Sequence, residues 1–408
     1  MQDIIIIGGG ISGLYCALNV NKNKNVILFE KNNYLGGRIY TDNFTINSNK
    51  YSLEAGAGRI HSEHLIIKKL INKMGLNNKL IKIGGQISFK PSKNYSLKNT
   101  FKNQNGFSYV NKLIKLSKSE NKSYLKSISF KEYANKHLTN DEVKFMLDSC
   151  GYYGDLLFNA YNAITSFEKE INTHSDYYIM KGGFSQLIKK MVSEIKKKHS
   201  IHTDKTCIEI FYNDNIFTLN INNTKITCKK LILAIPKPNL LNFNILKPYF
   251  PLLKSIDCIP LLRIYSIYKK DDIWFKNVSK TTTNNHLKYI IPINKETGAI
   301  MTSYTDYTNT NYWKNIMNNN NKLNNEIKKN IENVFNIKTN NPILNKKYYW
   351  DCGVALWKKN NDSNKIIKTI NNIHKHNIPL FIVGENYSLY QGWIEGALHS
   401  AQSCLDNI

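Results

Sequence analysis

Apolar and polar positions along this chain change period in an order that predicts alternating strands and helices. Asp3 to Gly8 is an unbroken β-branched run ended by glycine, the pattern of a strand buried on both faces. Ile11 to Asn19 has helical spacing, and Val26 to Glu30 is a second apolar run. Together they read as a βαβ unit opening an α/β domain. Leu65 to Met74 is again helical. Phe130 to Phe167 is mixed and aromatic-rich, and predicts a mainly helical cap. Gly182-Gly183 form a turn into a helix that runs through Ile195. Cys207 to Asn220 and Lys225 to Ala234 alternate as strands do, the second running out into Pro236. Leu261 to Tyr268, Tyr289 to Ile293 and Ala299 to Tyr304 predict strands of a second sheet. Trp313 to Phe335 reads as a helix around an asparagine-rich patch, Asn318 to Asn321, taken as a polar loop or solvated face. Leu380 to Val383 is a short buried strand, and Gly392 to Leu405 a closing helix. No internal repeat is visible.

A chain of 408 residues can bury a large core and suits two domains. Motifs for one cofactor stand at both ends, so one domain is expected to be discontinuous. Residues 1–75, 181–255 and 345–408 would form the cofactor unit. Residues 76–180 and 256–344 would form an α+β substrate unit with the helical cap. No apolar run reaches the roughly 18 residues of a membrane span. The isoleucines at the start are too few for a signal-peptide core, so a cytoplasmic protein starting at Met1 is expected.

Seven cysteines, with no CxxC pair, argue against a disulfide framework and against a metal site. The net charge of +26 comes almost wholly from lysine. Asparagine is abundant too, so a coding bias toward adenine-rich codons explains the excess without a nucleic-acid partner. Specific base and phosphate recognition favours arginine. The three arginines, Arg38, Arg59 and Arg263, therefore stand out as places where a planar fork is needed.

Gly8-x-Gly10-x-x-Gly13, between a strand and a helix, is a phosphate cradle. The glycines admit a tight turn, and the helix start at Ile11 and Ser12 offers free N–H groups to a pyrophosphate. Glu30, with Lys31 beside it, ends the second strand where a carboxylate can accept from ribose hydroxyls. This module alone does not distinguish NAD from FAD.

Leu35-Gly36-Gly37-Arg38 resembles the GGR segment of the flavin-containing amine oxidase superfamily. The resemblance continues through Gly183-Phe-Ser-Gln-Leu187, Leu233-Ala-Ile-Pro236 and Gly384-Glu385, and covers most of the chain. It implies a Rossmann-like fold of the glutathione-reductase and amine-oxidase type with FAD as cofactor. Arg38 would lie near the phosphates, Glu385 on the ribityl chain, and the backbone of Ile208 at the adenine. Gly37, Gly56, Ala57, Trp393 and Ile394 would also contact the cofactor. No stretch matches the family's cysteine for covalent flavin, so FAD is expected to be non-covalent and Cys352 a packed thiol.

Within that superfamily, Glu54-Ala-Gly-Ala-Gly-Arg59-Ile-His61 is most like the L-amino acid oxidase segment whose arginine grips the substrate carboxylate. A guanidinium matches a carboxylate bidentately. Tyr304 resembles the tyrosine that shares this carboxylate, and Trp393, in Gly392-Trp393-Ile394, resembles the tryptophan walling the pocket. Arg263 stands where the family's oxygen-linked lysine is expected. The resemblance implies oxidation of a Cα–N bond, then imine hydrolysis to a keto acid and ammonia, with oxygen giving hydrogen peroxide. The partners expected are an amino acid or amine and oxygen, with a homodimer left open. The alternatives are a mono- or polyamine oxidase, with Tyr387 and Tyr390 near the flavin, and an FAD-dependent desaturase or monooxygenase. A flavin-bearing interaction protein is a third class.

Overall fold

A computed structural model describes every residue except 171–175 and 377. Its first sheet has seven strands. Along one path they run Cys207–Asn213, Ile216–Ile221, Thr224–Leu233, Gln2–Ile7, Val26–Phe29 and Ser200–His202. Leu380–Ile382 pairs parallel to Thr224–Leu233. Gln2–Ile7 lies parallel to both its neighbours. Its unbroken apolar run has a physical reason. Ile4 and Ile6 enter one hydrophobic core, Ile5 and Ile7 another, so the sheet is covered on both faces.

The helix Ile11–Asn19 packs in the first core against Ser185–Ile195 and Ile394–Leu405. Tyr15 donates to Gln402 at 2.9 Å, tying the first helix to the last.

The second sheet has six strands. They run Leu344–Trp357, Ile256–Ile267, Ala299–Asp306, Tyr289–Asn294, Thr281–Thr282 and Ser88–Phe89. Helices between Phe107 and Glu170 cover its Tyr289 region through one apolar cluster that includes Phe107, Met146 and Phe167. The fold is the expected one: a Rossmann-like α/β layer, a second sheet and a helical cap.

Several local expectations change. The helix expected from Trp313 to Phe335 is two helices, Thr310–Lys314 and Asn320–Phe335. Asn319 caps the second, its side chain accepting from the Lys322 N–H at 3.0 Å. An asparagine oxygen competes for backbone donors, so the run starts a helix instead of lying within one. Cys207 to Asn220 is a hairpin that turns at Asp214 and Asn215, both at positive φ. Cys352 is not a free thiol: it forms a disulfide with Cys258. The two sit 94 residues apart on paired strands with Cα atoms 4.7 Å apart, a closeness no sequence spacing reveals. Cys16, Cys150, Cys207, Cys228 and Cys404 are free. Among the described residues no helix is long and apolar enough to cross a membrane, and no cluster suits a metal ion.

Candidate active site

The glycine-rich turn leads from the first strand into the Ile11–Asn19 helix, with Gly10 at the N-cap and no side chain capping it. A Cβ on Gly10 would meet nothing within 4 Å, so the helix N-terminus faces open space. Gly13 is different. Its Cβ would sit 2.1 Å from the Gly8 carbonyl, so the helix packs directly on the strand end. Glu30 is buried and braces this turn. One carboxylate oxygen accepts from the Gly9 N–H at 2.7 Å and the other from the Asn32 N–H at 2.9 Å. A carboxylate has about four acceptor sites, so lone pairs remain for ribose hydroxyls. Lys31 is exposed. Ile208 lies at a β-bulge between Cys207 and Glu209, and the preceding Lys205 donates its N–H to the Glu30 carbonyl at 2.9 Å.

Gly36 donates to the Gly9 carbonyl at 2.8 Å, and Gly37 lies against the Gly10 backbone. Arg38 then reaches across the molecule. Its Nη1 donates to Glu385 Oε1 at 2.7 Å and to the Gly353 carbonyl at 2.8 Å. Glu385 Oε1 also accepts from Asn386, and Oε2 from the Gly392 N–H at 2.9 Å. Both oxygens of Glu385 therefore hold protein groups, and residue 38 is locked to the 384–394 segment. Gly56 sits against the Arg38 carbonyl, which accepts from the Ala57 N–H at 2.9 Å. Ile394 is buried at the start of the last helix, with Trp393 as its N-cap. Next to it Glu395 accepts from the Ile66 and Ile67 N–H groups at 2.8 and 2.9 Å. A carboxylate there satisfies the free donors of the Leu65–Lys73 helix.

Beyond this cradle lies an aromatic box around Arg59. The guanidinium donates to the Tyr152 hydroxyl. It lies 4.4 Å from the ring centre of Tyr177 and 5.6 Å from that of Trp393. Tyr177 and Trp393 stack at 6.3 Å, and His64 meets Trp393 edge-on at 4.8 Å. Among the described residues no carboxylate pairs with Arg59. Burial pushes Tyr304 up to about 12, so its hydroxyl stays a donor at neutral pH. Burial also pushes His64 down to about 4, which leaves a neutral imidazole beside the arginine.

Arg263 lies across the strand pair from Tyr304, with its guanidinium 5.0 Å from that ring. It donates to the Glu54 carbonyl at 3.0 Å, as does the Tyr265 hydroxyl at 2.8 Å. The Glu54 carboxylate accepts from Thr41 Oγ1 at 2.9 Å and from the Phe184 N–H at 2.7 Å. It thereby docks the Gly183–Leu187 motif beside the site. Burial raises Glu54 to about 7, above its ordinary 4.5. An acid raised in the folded state binds more protons folded than unfolded, so its contribution to stability falls as pH rises through this window. Relative to Glu54→Gln, the wild type is expected to lose about 2–3 kcal/mol between pH 4.5 and 8. Urea unfolding of both FAD-saturated proteins across that range checks it. Parallel pH profiles would refute the assignment.

The parallel sheet, the glycine-rich turn into a helix and the buried acid at the end of the second strand together suit a dinucleotide cofactor. Residues 11–404 match the family of flavin containing amine oxidoreductases, and the chain belongs to that family. It is 23% identical over 482 residues to an uncharacterized protein of Acanthamoeba polyphaga mimivirus, covering 99% of this chain and 93% of that one. It is 35% identical over 77 residues to the L-amino-acid oxidase of Mus musculus, 19% of this chain and 12% of that one. Among solved structures, cyclohexylamine oxidase from Brevibacterium oxydans superposes with a TM-score of 0.77 at 15% identity, over 100% of this chain and 98% of that one.

Arg59, Tyr304, Arg263 and Trp393 lie in one region: Arg59 neighbours Trp393, and Arg263 neighbours Tyr304. Tyr387 departs from expectation: it is buried in the sheet core, its hydroxyl donating to the Leu253 carbonyl at 2.8 Å. Tyr390 stacks on His399 at 5.0 Å. Sequence reasoning missed Tyr152, Tyr177, Tyr289, His64 and Glu54. Only His64 and Glu54, within five residues of Arg59, carried a local signal.

Proposed function

We propose that this protein oxidises an L-amino acid, with Arg59 holding the substrate carboxylate. The carrying observation is an enclosed guanidinium that has aromatic and phenolic neighbours but no carboxylate among the described residues. A buried charge needs a partner, and a substrate carboxylate would supply one bidentately. Tyr304 would donate a second hydrogen bond, and Trp393 with Tyr177 would wall the pocket. Arg38 would face the pyrophosphate, held in place by Glu385, and the Gly10 turn would carry the phosphates. Arg263, tied to a backbone carbonyl, would keep a positive charge on the substrate sheet without readily giving up a proton. When bound, FAD supplies the acceptor for the α-hydrogen leaving as hydride, and oxygen takes the electrons on to hydrogen peroxide. Loss of hydride gives an imine that hydrolyses to a keto acid and ammonia. The short match to an L-amino-acid oxidase supports the substrate class. The disulfide at Cys352 supports non-covalent FAD, because that sulfur is already bonded. The two-unit division belongs to this proposal too, with 344–357 assigned by its pairing to the second sheet.

The test is anaerobic flavin bleaching by L-amino acids, D-amino acids, monoamines and polyamines. L-amino acids are expected to bleach the flavin at least about 100-fold faster than the corresponding amines, since amines leave Arg59 unpaired. Equal bleaching by carboxylate-free amines would overturn the reading in favour of an amine oxidase.

A further inference from the structure

A second basic side chain approaches the tyrosines next to Arg59. Lys280 precedes the short strand Thr281–Thr282, which pairs with both Ser88–Phe89 and the strand carrying Tyr289. Its Nζ lies 5.5 Å from the ring centre of Tyr289, which is fully buried. The Tyr289 ring lies 5.4 Å from that of Tyr152, the acceptor of Arg59, and 6.0 Å from that of Tyr304. Lys280 and Arg59 thus approach one tyrosine cluster, each enclosed but partly accessible. Enclosed lysines are nearly always paired. Lys288, eight residues on, has Asp148 and Asp306 near it. Among the described residues Lys280 has no such carboxylate, and its charged neighbour is Arg59. Burial and that arginine push Lys280 well below its ordinary value, so its ammonium form is disfavoured until a counter-anion arrives.

We infer that Arg59 and Lys280 together bind a dicarboxylic ligand, making acidic L-amino acids the preferred substrates. Arg59 takes the α-carboxylate, and this half rests on the function proposed above. Lys280 takes the side-chain carboxylate. Keeping both groups charged in an enclosed site costs desolvation and mutual repulsion, which a dianion offsets and a ligand with a neutral side chain offsets only at Arg59. Specificity would follow from the unpaired cation as much as from the new contact.

The experiment compares L-aspartate and L-glutamate with L-asparagine and L-glutamine in the holoenzyme, as the ratio of kcat/KM for acid over amide. The wild type is expected to favour the better acid by about 30-fold or more. Lys280→Met should bring the ratio close to one, and Lys280→Arg should retain most of it. Glutarate and butyrate, titrated against the wild-type flavin spectrum, give a readout that needs no turnover; glutarate should bind at least about tenfold tighter. No acid preference in the wild type, or an unchanged ratio in Lys280→Met, overturns the inference. If acids gain nothing while amino acids still outrun amines, the two-cation site fails alone. If amines match amino acids, the amino-acid function fails, and glutarate against butyrate still decides whether two cations share a ligand.

Discussion

Arg59→Met is expected to lower kcat/KM for L-amino acids by about 10²–10³-fold while the protein keeps its FAD. Removing one partner from a buried, hydrogen-bonded charge pair costs about 3–4 kcal/mol, which is that factor. Methionine retains much of the side-chain bulk between Tyr177 and Trp393, so the box should stay packed. The effect should fall on substrate affinity and orientation together, because the carboxylate fixes where the α-hydrogen points. Arg59→Lys keeps the charge but loses the fork, and should fall between the two. Steady-state kinetics with flavin absorbance as the occupancy check decides the matter. Unchanged turnover would show that Arg59 does not hold the carboxylate. An equal loss with carboxylate-free amines would show that it only supports the pocket.

Gly10→Leu should leave a folded protein that no longer carries FAD. Gly10 sits at φ −71°, which any residue adopts, and its Cβ would meet nothing. The added side chain would project over the helix N-terminus, where the pyrophosphate needs close backbone approach. A loss of at least about 100-fold in FAD affinity is expected, or about 2.7 kcal/mol or more. Gly13→Ala makes the opposite control. Its Cβ would press on the Gly8 carbonyl at 2.1 Å, so the apoprotein itself should melt lower. Flavin absorbance and thermal melting of both apoproteins separate the outcomes. A yellow Gly10→Leu protein would mean that the phosphates lie elsewhere.

The cradle is local: Gly8 to Gly13 and Glu30 occur within one βαβ unit, so their order in sequence is nearly their order in space. Arg59 stood out because arginine is rare here. The hairpin Thr41–Ile46 and Asn49–Glu54 and the long strand Leu344–Trp357 carry no clear strand pattern in sequence. Both mix lysine, asparagine and tyrosine, which blurs the period-two signal in a chain rich in these residues. Cys258 with Cys352, and Arg38 with Glu385, are contacts of long sequence separation that strand pairing and domain packing create.

Short-range order along the chain was enough to establish a dinucleotide-binding α/β fold, FAD through a family resemblance, and three arginines that stand out in a lysine-rich chain. It could not say that Tyr152, Tyr177, Tyr289 and Lys280 would gather around one of those arginines. These residues come from the cap, from a small three-stranded sheet and from the second sheet. Each taken alone is an ordinary aromatic or lysine, and only the packing of separate elements gives the cluster its charge and its enclosure.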